Sequence, residues 1–253
     1  MRWGINLNSM LGKTALITGA SRGIGRAIAI GLAKCGVDIA VNYTRNEEKA
    51  KEVQKEVEET GRKCYLVKAD TGDKNCADKA AEIVPAVDIL VLNASIQYKN
   101  RWDKIPLQEY DEQMNCNFRS ALLLIQKYAP KMAENGWGRI ITIGSVQEAK
   151  PHPDMLIYSS SKAALTHMAK FMSLQLASTG VTVNSVAPGV ISTDRNADAL
   201  ADKEYKNTVL NKIPVHFCGE PVDCVGIVKL LCSEEGRYIT GQNIFVDGGM
   251  SIE

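Results

Sequence analysis

Short apolar runs recur along this chain, and stretches with helical character separate them. The runs cover residues 14–18, 37–41, 64–67, 87–92, 139–143, 181–186 and 244–246. Continuous apolar strands are buried on both faces, unlike the alternating strands of a half-wet sheet. The segments between them supply the cover. Residues 24–35 read as a helix ended by Gly36, and residues 46–60 as one capped by Asn46 and stopped by Gly61. Long helices are predicted over 107–134 and 156–177. No linker, repeat or low-complexity stretch interrupts the pattern. It predicts a single α/β domain, doubly wound and Rossmann-type, with a seven-stranded parallel sheet flanked by helices on both faces. A length of 253 residues suits one such core.

Bulk properties exclude several classes of function. The net charge is +1, so no global field draws the chain to nucleic acid or an anionic membrane. No apolar run approaches the ~18 residues of a membrane span, and the first residues lack the apolar block of a signal peptide. Residues 1–10 read as an N-terminal extension before a domain of 11–253, with Met1 and Met10 both available as starts. Seven scattered cysteines, with no C-x-x-C spacing, read as free thiols of a reducing cytoplasm. No metal-ligand cluster is visible among them and the three histidines.

Two motifs carry chemistry. Gly19, Gly23 and Gly25 follow the first strand and open the first helix. In that context Gly19 permits a tight turn, Gly23 lets backbone approach a pyrophosphate, and Gly25 lets helix and strand pack closely. The helix N-terminus adds free N–H groups and a positive dipole end. Further on, Tyr158 and Lys162 are four apart, which places them on one helix face. A cation beside a phenol favours the phenolate and makes the pair a proton donor near neutral pH. Ser145 lies just upstream at the end of an apolar strand.

The second strand leads into Asn42-Tyr43-Thr44-Arg45, with no acid there to accept bonds from a ribose. Arg22 and Arg45 instead offer two guanidinium groups to a 2′-phosphate. NADP(H) is therefore the preferred cofactor, with NAD(H) the alternative.

The G-x-x-x-G-x-G spacing together with Y-x-x-x-K resembles the short-chain dehydrogenase/reductase family, over roughly residues 11–249. The look is closest to 3-oxoacyl carrier-protein reductases and to sugar or polyol dehydrogenases. The resemblance implies a catalytic set of Asn117, Ser145, Tyr158 and Lys162. It implies cofactor contacts at Gly19, Ser21, Arg22, Gly23, Ile24, Gly25, Asn42 and Arg45 in the first two strand ends. Asp70 and Thr71 would meet the adenine, Pro188, Gly189, Ile191 and Thr193 the nicotinamide end, and Tyr158 and Lys162 would also contact the cofactor, Lys162 at the nicotinamide ribose. Asn93 and Ala94 match the family's N-N-A-G, whereas Leu92 and Ser95 depart from it. Ser145, Gln147, His152 and Tyr158 would face the substrate, under a lid at 193–214.

The polar lid and the polar loop after Ser145 suit a sugar acid, polyol or small polar ketone. The expected reaction interconverts ketone and secondary alcohol. The rival readings are 3-oxoacyl-(carrier protein or CoA) reduction and a non-catalytic cofactor sensor. The resemblance also implies a homo-oligomer, a tetramer or dimer, joined through the two long helices and the last strand.

Overall fold

The computed structural model describes residues 7–197 and 201–252. Its centre is a seven-stranded sheet in the order β3-β2-β1-β4-β5-β6-β7. The strands are β1 (Thr14–Ile17), β2 (Asp38–Tyr43), β3 (Cys64–Lys68), β4 (Ile89–Leu92), β5 (Gly138–Ile143), β6 (Val181–Pro188) and β7 (Asn243–Val246). Every neighbouring pair is parallel. Neighbouring residues of one strand enter opposite cores, which is why the strands read as unbroken apolar runs. Ala15 and Ile17 join one core and Leu16 the other.

The first core packs β1 and β2 against α1 (Gly23–Ala33), α2 (Glu47–Glu58) and α8 (Val225–Cys232). The second packs the other face against α3 (Cys76–Ile83), α5 (Ser120–Glu134) and α6 (Leu156–Leu176). The strand order reverses between β1 and β4, and the chain leaves both strands at the same end of the sheet. That crevice is where an open parallel sheet binds its ligand.

Several boundaries differ from expectation for a physical reason. The second strand continues past residue 41 because Asn42 and Tyr43 pair with Val67 and Lys68 of β3. The single helix expected over 107–134 is three pieces. α4 (Leu107–Met114) passes through a π-helical turn at Asn115–Arg119 before α5 begins. Residues 7–10 are not a bare extension: they form a 3₁₀ turn that buries Met10 completely, and Ser9 accepts a hydrogen bond from the Glu234 amide at 3.2 Å. The expected lid falls partly on residues 198–200, outside the described residues; beyond them lies α7 (Lys203–Leu210).

Candidate active site

A cavity of about 1000 Å³ opens at the carboxyl ends of the strands. One end is floored by the turn between β1 and α1, and the other by Ser145, Tyr158 and Lys162. Tyr158 lies in the first turn of α6, with Lys162 one turn later on the same face. Both are buried, at 7% and 1% exposure. The Lys162 ammonium donates to the carbonyl of Ile143, the last residue of β5, at 2.7 Å, and lies 5.8 Å from the centre of the Tyr158 ring. Burial, with the nearby Arg195 charge, lowers the Lys162 pKa to about 8. Its charge is therefore responsive to pH near the physiological range.

Ser145 ends the β5 crossover as the N-cap of a 3₁₀ turn, Val146–Glu148. Its Oγ accepts from the Gln147 amide at 3.2 Å. With one lone pair taken, the hydroxyl hydrogen is available to a ligand oxygen. Behind it the Glu148 carboxylate accepts from the Ser145 amide at 2.8 Å and from Asn243 at 3.1 Å. Burial raises the Glu148 pKa. A Cβ on Gly144 would overlap that carboxylate, so a side chain there would displace Glu148. Glu148 was not among the expected site residues. The S-x-x-E spacing of a capping box was nevertheless present in Ser145-Val146-Gln147-Glu148.

The glycine loop is held by side chains beneath it. Thr18 Oγ1 accepts from the amides of Asn93 and Ala94, both at 2.9 Å. Asn93 returns Nδ2 to the carbonyls of Thr18 and Gly19 at 2.9 and 3.2 Å. This ties the ends of β1 and β4 together across the crevice. Gly25 leaves room for the knot: a Cβ there would stand 2.6 Å from both Asn93 Nδ2 and the Gly19 carbonyl. The backbone is thus a cradle shaped for a phosphate group, opening onto a cavity long enough for a dinucleotide.

Most expected residues line this one cavity: Ser21, Arg22, Ile24, Arg45, Asp70, Thr71, Asn93 and Ala94 toward the glycine loop, and Pro188, Gly189, Ile191 and Thr193 after β6. Arg22 and Arg45 both reach it, with Tyr43 and Thr44 between them in place of a carboxylate, which fits a 2′-phosphate. Three expected residues do not line it. Asn42 is a correction: it is 4% exposed, accepts from the Gly19 amide at 3.1 Å and donates to the Val67 and Ala69 carbonyls. With its amide committed to backbone, it braces the loop from below. Gly25 sits behind the loop for the reason just given. Asn117 lies in the π turn and holds Ile96 from both sides, at 2.9 Å each, while donating to Ser161 at 3.0 Å. It joins the π turn to α6 beside Tyr158.

On the substrate side Gln147 and His152 also line the cavity. The Gln147 amide is engaged by Ser159 and Met155, and His152 Nδ1 accepts from the Asp154 amide at 3.1 Å. Among the described residues no cluster of metal-ligating groups is present.

A family model described as enoyl-(acyl carrier protein) reductase matches residues 19–251. The 3-oxoacyl-[acyl-carrier-protein] reductase FabG of Staphylococcus aureus is 39% identical over 245 residues, 94% of this chain and 98% of that protein. The chain is a short-chain dehydrogenase/reductase. As such it is an NAD(P)-dependent oxidoreductase acting on the carbinol–ketone couple. Solved short-chain dehydrogenases have the same fold. One, provisionally assigned as a gluconate dehydrogenase of Agrobacterium tumefaciens, superposes with a TM-score of 0.93 at 29% identity, covering 97% of this chain and 98% of that one. Another, provisionally assigned as an NAD(P)-dependent gluconate 5-dehydrogenase of Beutenbergia cavernae, has NADP bound at low occupancy. It gives a TM-score of 0.91 at 33% identity, covering 97% and 99%.

Proposed function

We propose that this short-chain dehydrogenase uses NADP(H) to interconvert a ketone and a secondary alcohol on a sugar acid, polyol or small polar ketone. One observation carries the reading: Ser145, Tyr158 and Lys162 meet at one end of a cavity whose other end is the phosphate cradle. The bound nicotinamide supplies or accepts the hydride. The Tyr158 hydroxyl donates a proton to the carbonyl oxygen as negative charge develops, and takes one back in the reverse direction. The Ser145 hydroxyl holds the same oxygen. The Lys162 ammonium, fixed by Ile143, sets a positive field beside the phenol. Arg22 and Arg45 support the NADP(H) preference, as does the solved relative with NADP bound.

The polar groups of Gln147, His152, Thr208 and Lys212 on the substrate side support a hydroxylated substrate, as do the two gluconate dehydrogenase relatives. The 39% identity to a 3-oxoacyl reductase favours a second reading, reduction of a 3-oxoacyl thioester. Docking an acidic carrier calls for exposed basic residues on the long helices. On α5 Lys131 is paired with Glu134 at 2.9 Å and on α6 Lys170 is the exposed cation, a sparse basic surface that weighs against that reading. Leu107, Leu156, Phe171 and Leu174 are exposed on the helices proposed to join subunits, in support of a homo-oligomer. No described helix is long and apolar enough to cross a membrane. The composition supports a cytoplasmic location.

The test is NADPH oxidation with a panel of keto-sugar acids, ketoses and acetoacetyl thioesters, with NADH in parallel. Turnover of keto-sugars supports the reading. Turnover of the thioester alone would replace it with the second one.

A further inference from the structure

Ser95 departs from the glycine of the family pattern, and the structure shows what the added hydroxyl meets. Arg195, in the segment after β6, reaches back to the end of β4 and donates to Ser95 three times. Nη1 and Nη2 each lie 3.1 Å from Oγ, and Nη2 lies 2.6 Å from the carbonyl oxygen. Both residues line the cavity. The guanidinium is thus fixed on the cavity wall by neutral oxygens. Among the described residues no carboxylate pairs with it.

Among the described residues, the cations Lys99 and Lys212 line the same cavity as Arg195. The two described carboxylates that line the cavity are already engaged. Asp70 follows β3 and caps the Gly72 amide, and Asp194 is already engaged by Lys49 at 2.8 Å and Arg22 at 3.7 Å. A concave wall that presents several cations raises the local concentration of anions. A guanidinium held by neutral oxygens can accept a planar anion without breaking an ion pair.

We propose that Arg195, presented by Ser95, is the specificity-determining residue of this dehydrogenase and binds an anionic group of the substrate. The proposal rests on the ketone–alcohol reading and narrows its substrate to one carrying a carboxylate or phosphate. A sugar acid brings a carboxylate, and a coenzyme A thioester brings phosphates.

Binding without turnover separates this from the reaction itself. The enzyme–NADPH complex is titrated calorimetrically with D-gluconate and with D-glucitol, its neutral counterpart. In parallel, kcat/KM is compared for acetoacetyl-CoA and the uncharged acetoacetyl-N-acetylcysteamine. A preference of the parent enzyme for the charged member of either pair is expected. Arg195→Gln should reduce that preference roughly 10- to 100-fold, the cost of losing a charge-assisted hydrogen bond. Arg195→Lys should restore part of it, because the charge returns without the fork. A preference in the first pair assigns the carboxylate. One in the second pair alone assigns phosphate and sinks the sugar-acid reading while keeping the anion site. Equal handling of both pairs by the parent overturns the proposal, even if ketone reduction proceeds. So does a rise in the NADPH Kd of Arg195→Gln with an unchanged charge preference, since the guanidinium would then serve the cofactor.

Discussion

At the glycine-loop end of the cavity, Thr18, Asn42 and Asn93 commit their side chains to backbone amides and carbonyls. On the substrate wall Arg195, Lys99 and Lys212 present charge to the cavity instead. The first end is preorganised: its polar groups are satisfied before any ligand arrives, so binding carries little reordering cost. The second holds cations that pair with no carboxylate among the described residues. One end recognises a fixed cofactor, whereas the other is where relatives with the same fold can diverge in substrate. Between them stand Ser145, Tyr158 and Lys162.

The sharpest way to break this division is at its centre. Tyr158→Phe should lower kcat by roughly 10²- to 10⁴-fold, the range of a lost general acid. NADPH binding, followed by fluorescence, should stay within a few-fold, because the glycine-loop end is untouched. A variant that keeps its turnover would remove Tyr158 from the chemistry and revive the cofactor-sensor reading.

At the cofactor end, Asn42→Ala removes a brace without touching the ligand. The Gly19 amide and the Val67 and Ala69 carbonyls would lose their partner in a buried site. We expect a loss of about 2–3 kcal/mol, a fall in Tm of roughly 5–10 °C for a chain of this size. The NADPH KM should rise as well, since the loop is held from below. An unchanged Tm would show that water replaces the amide. Arg45→Ala, by contrast, acts at the ligand. It should lower the NADPH-over-NADH ratio of kcat/KM by about tenfold or more, leaving Tm in place. An unchanged ratio would assign the preference to Arg22 or abolish it.

The two ends also differed in how much of them could be read in the sequence. The glycine loop and the Tyr158–Lys162 pair are local patterns, since their members sit within a few residues and their spacing maps directly onto a turn or a helix face. The alternation of apolar runs was sufficient to expect the doubly wound sheet, because burial on both faces leaves no polar gap. What stayed hidden depends on distant partners. Asn42 looked like a ligand contact because its partners Val67 and Ala69 lie 25 and 27 residues away. The Ser95–Arg195 contact spans 100 residues, so the departure from N-N-A-G stood without a reason until the structure joined the two. α3 and α8 are eight residues each, too short for periodicity to separate them from other apolar segments.

The smallest effect we expect links the two ends through Lys162. Its pKa is lowered to about 8 chiefly by burial and then by the Arg195 charge. Below that pH the ammonium is present beside the phenol. Above it the proton leaves and the field that assists Tyr158 is lost, so kcat/KM for NADPH should fall on the alkaline side. Arg195→Gln removes one of the two influences that disfavour the charged lysine. The alkaline limb should therefore move to higher pH, only partway toward the ordinary lysine value of 10.5, because burial persists. A profile of kcat/KM against pH for both proteins reads the shift directly, since this ratio reports ionisations of the free enzyme. A limb that moves the other way, or not at all, would place the Arg195 charge too far from Lys162 to couple the substrate wall to the catalytic pair.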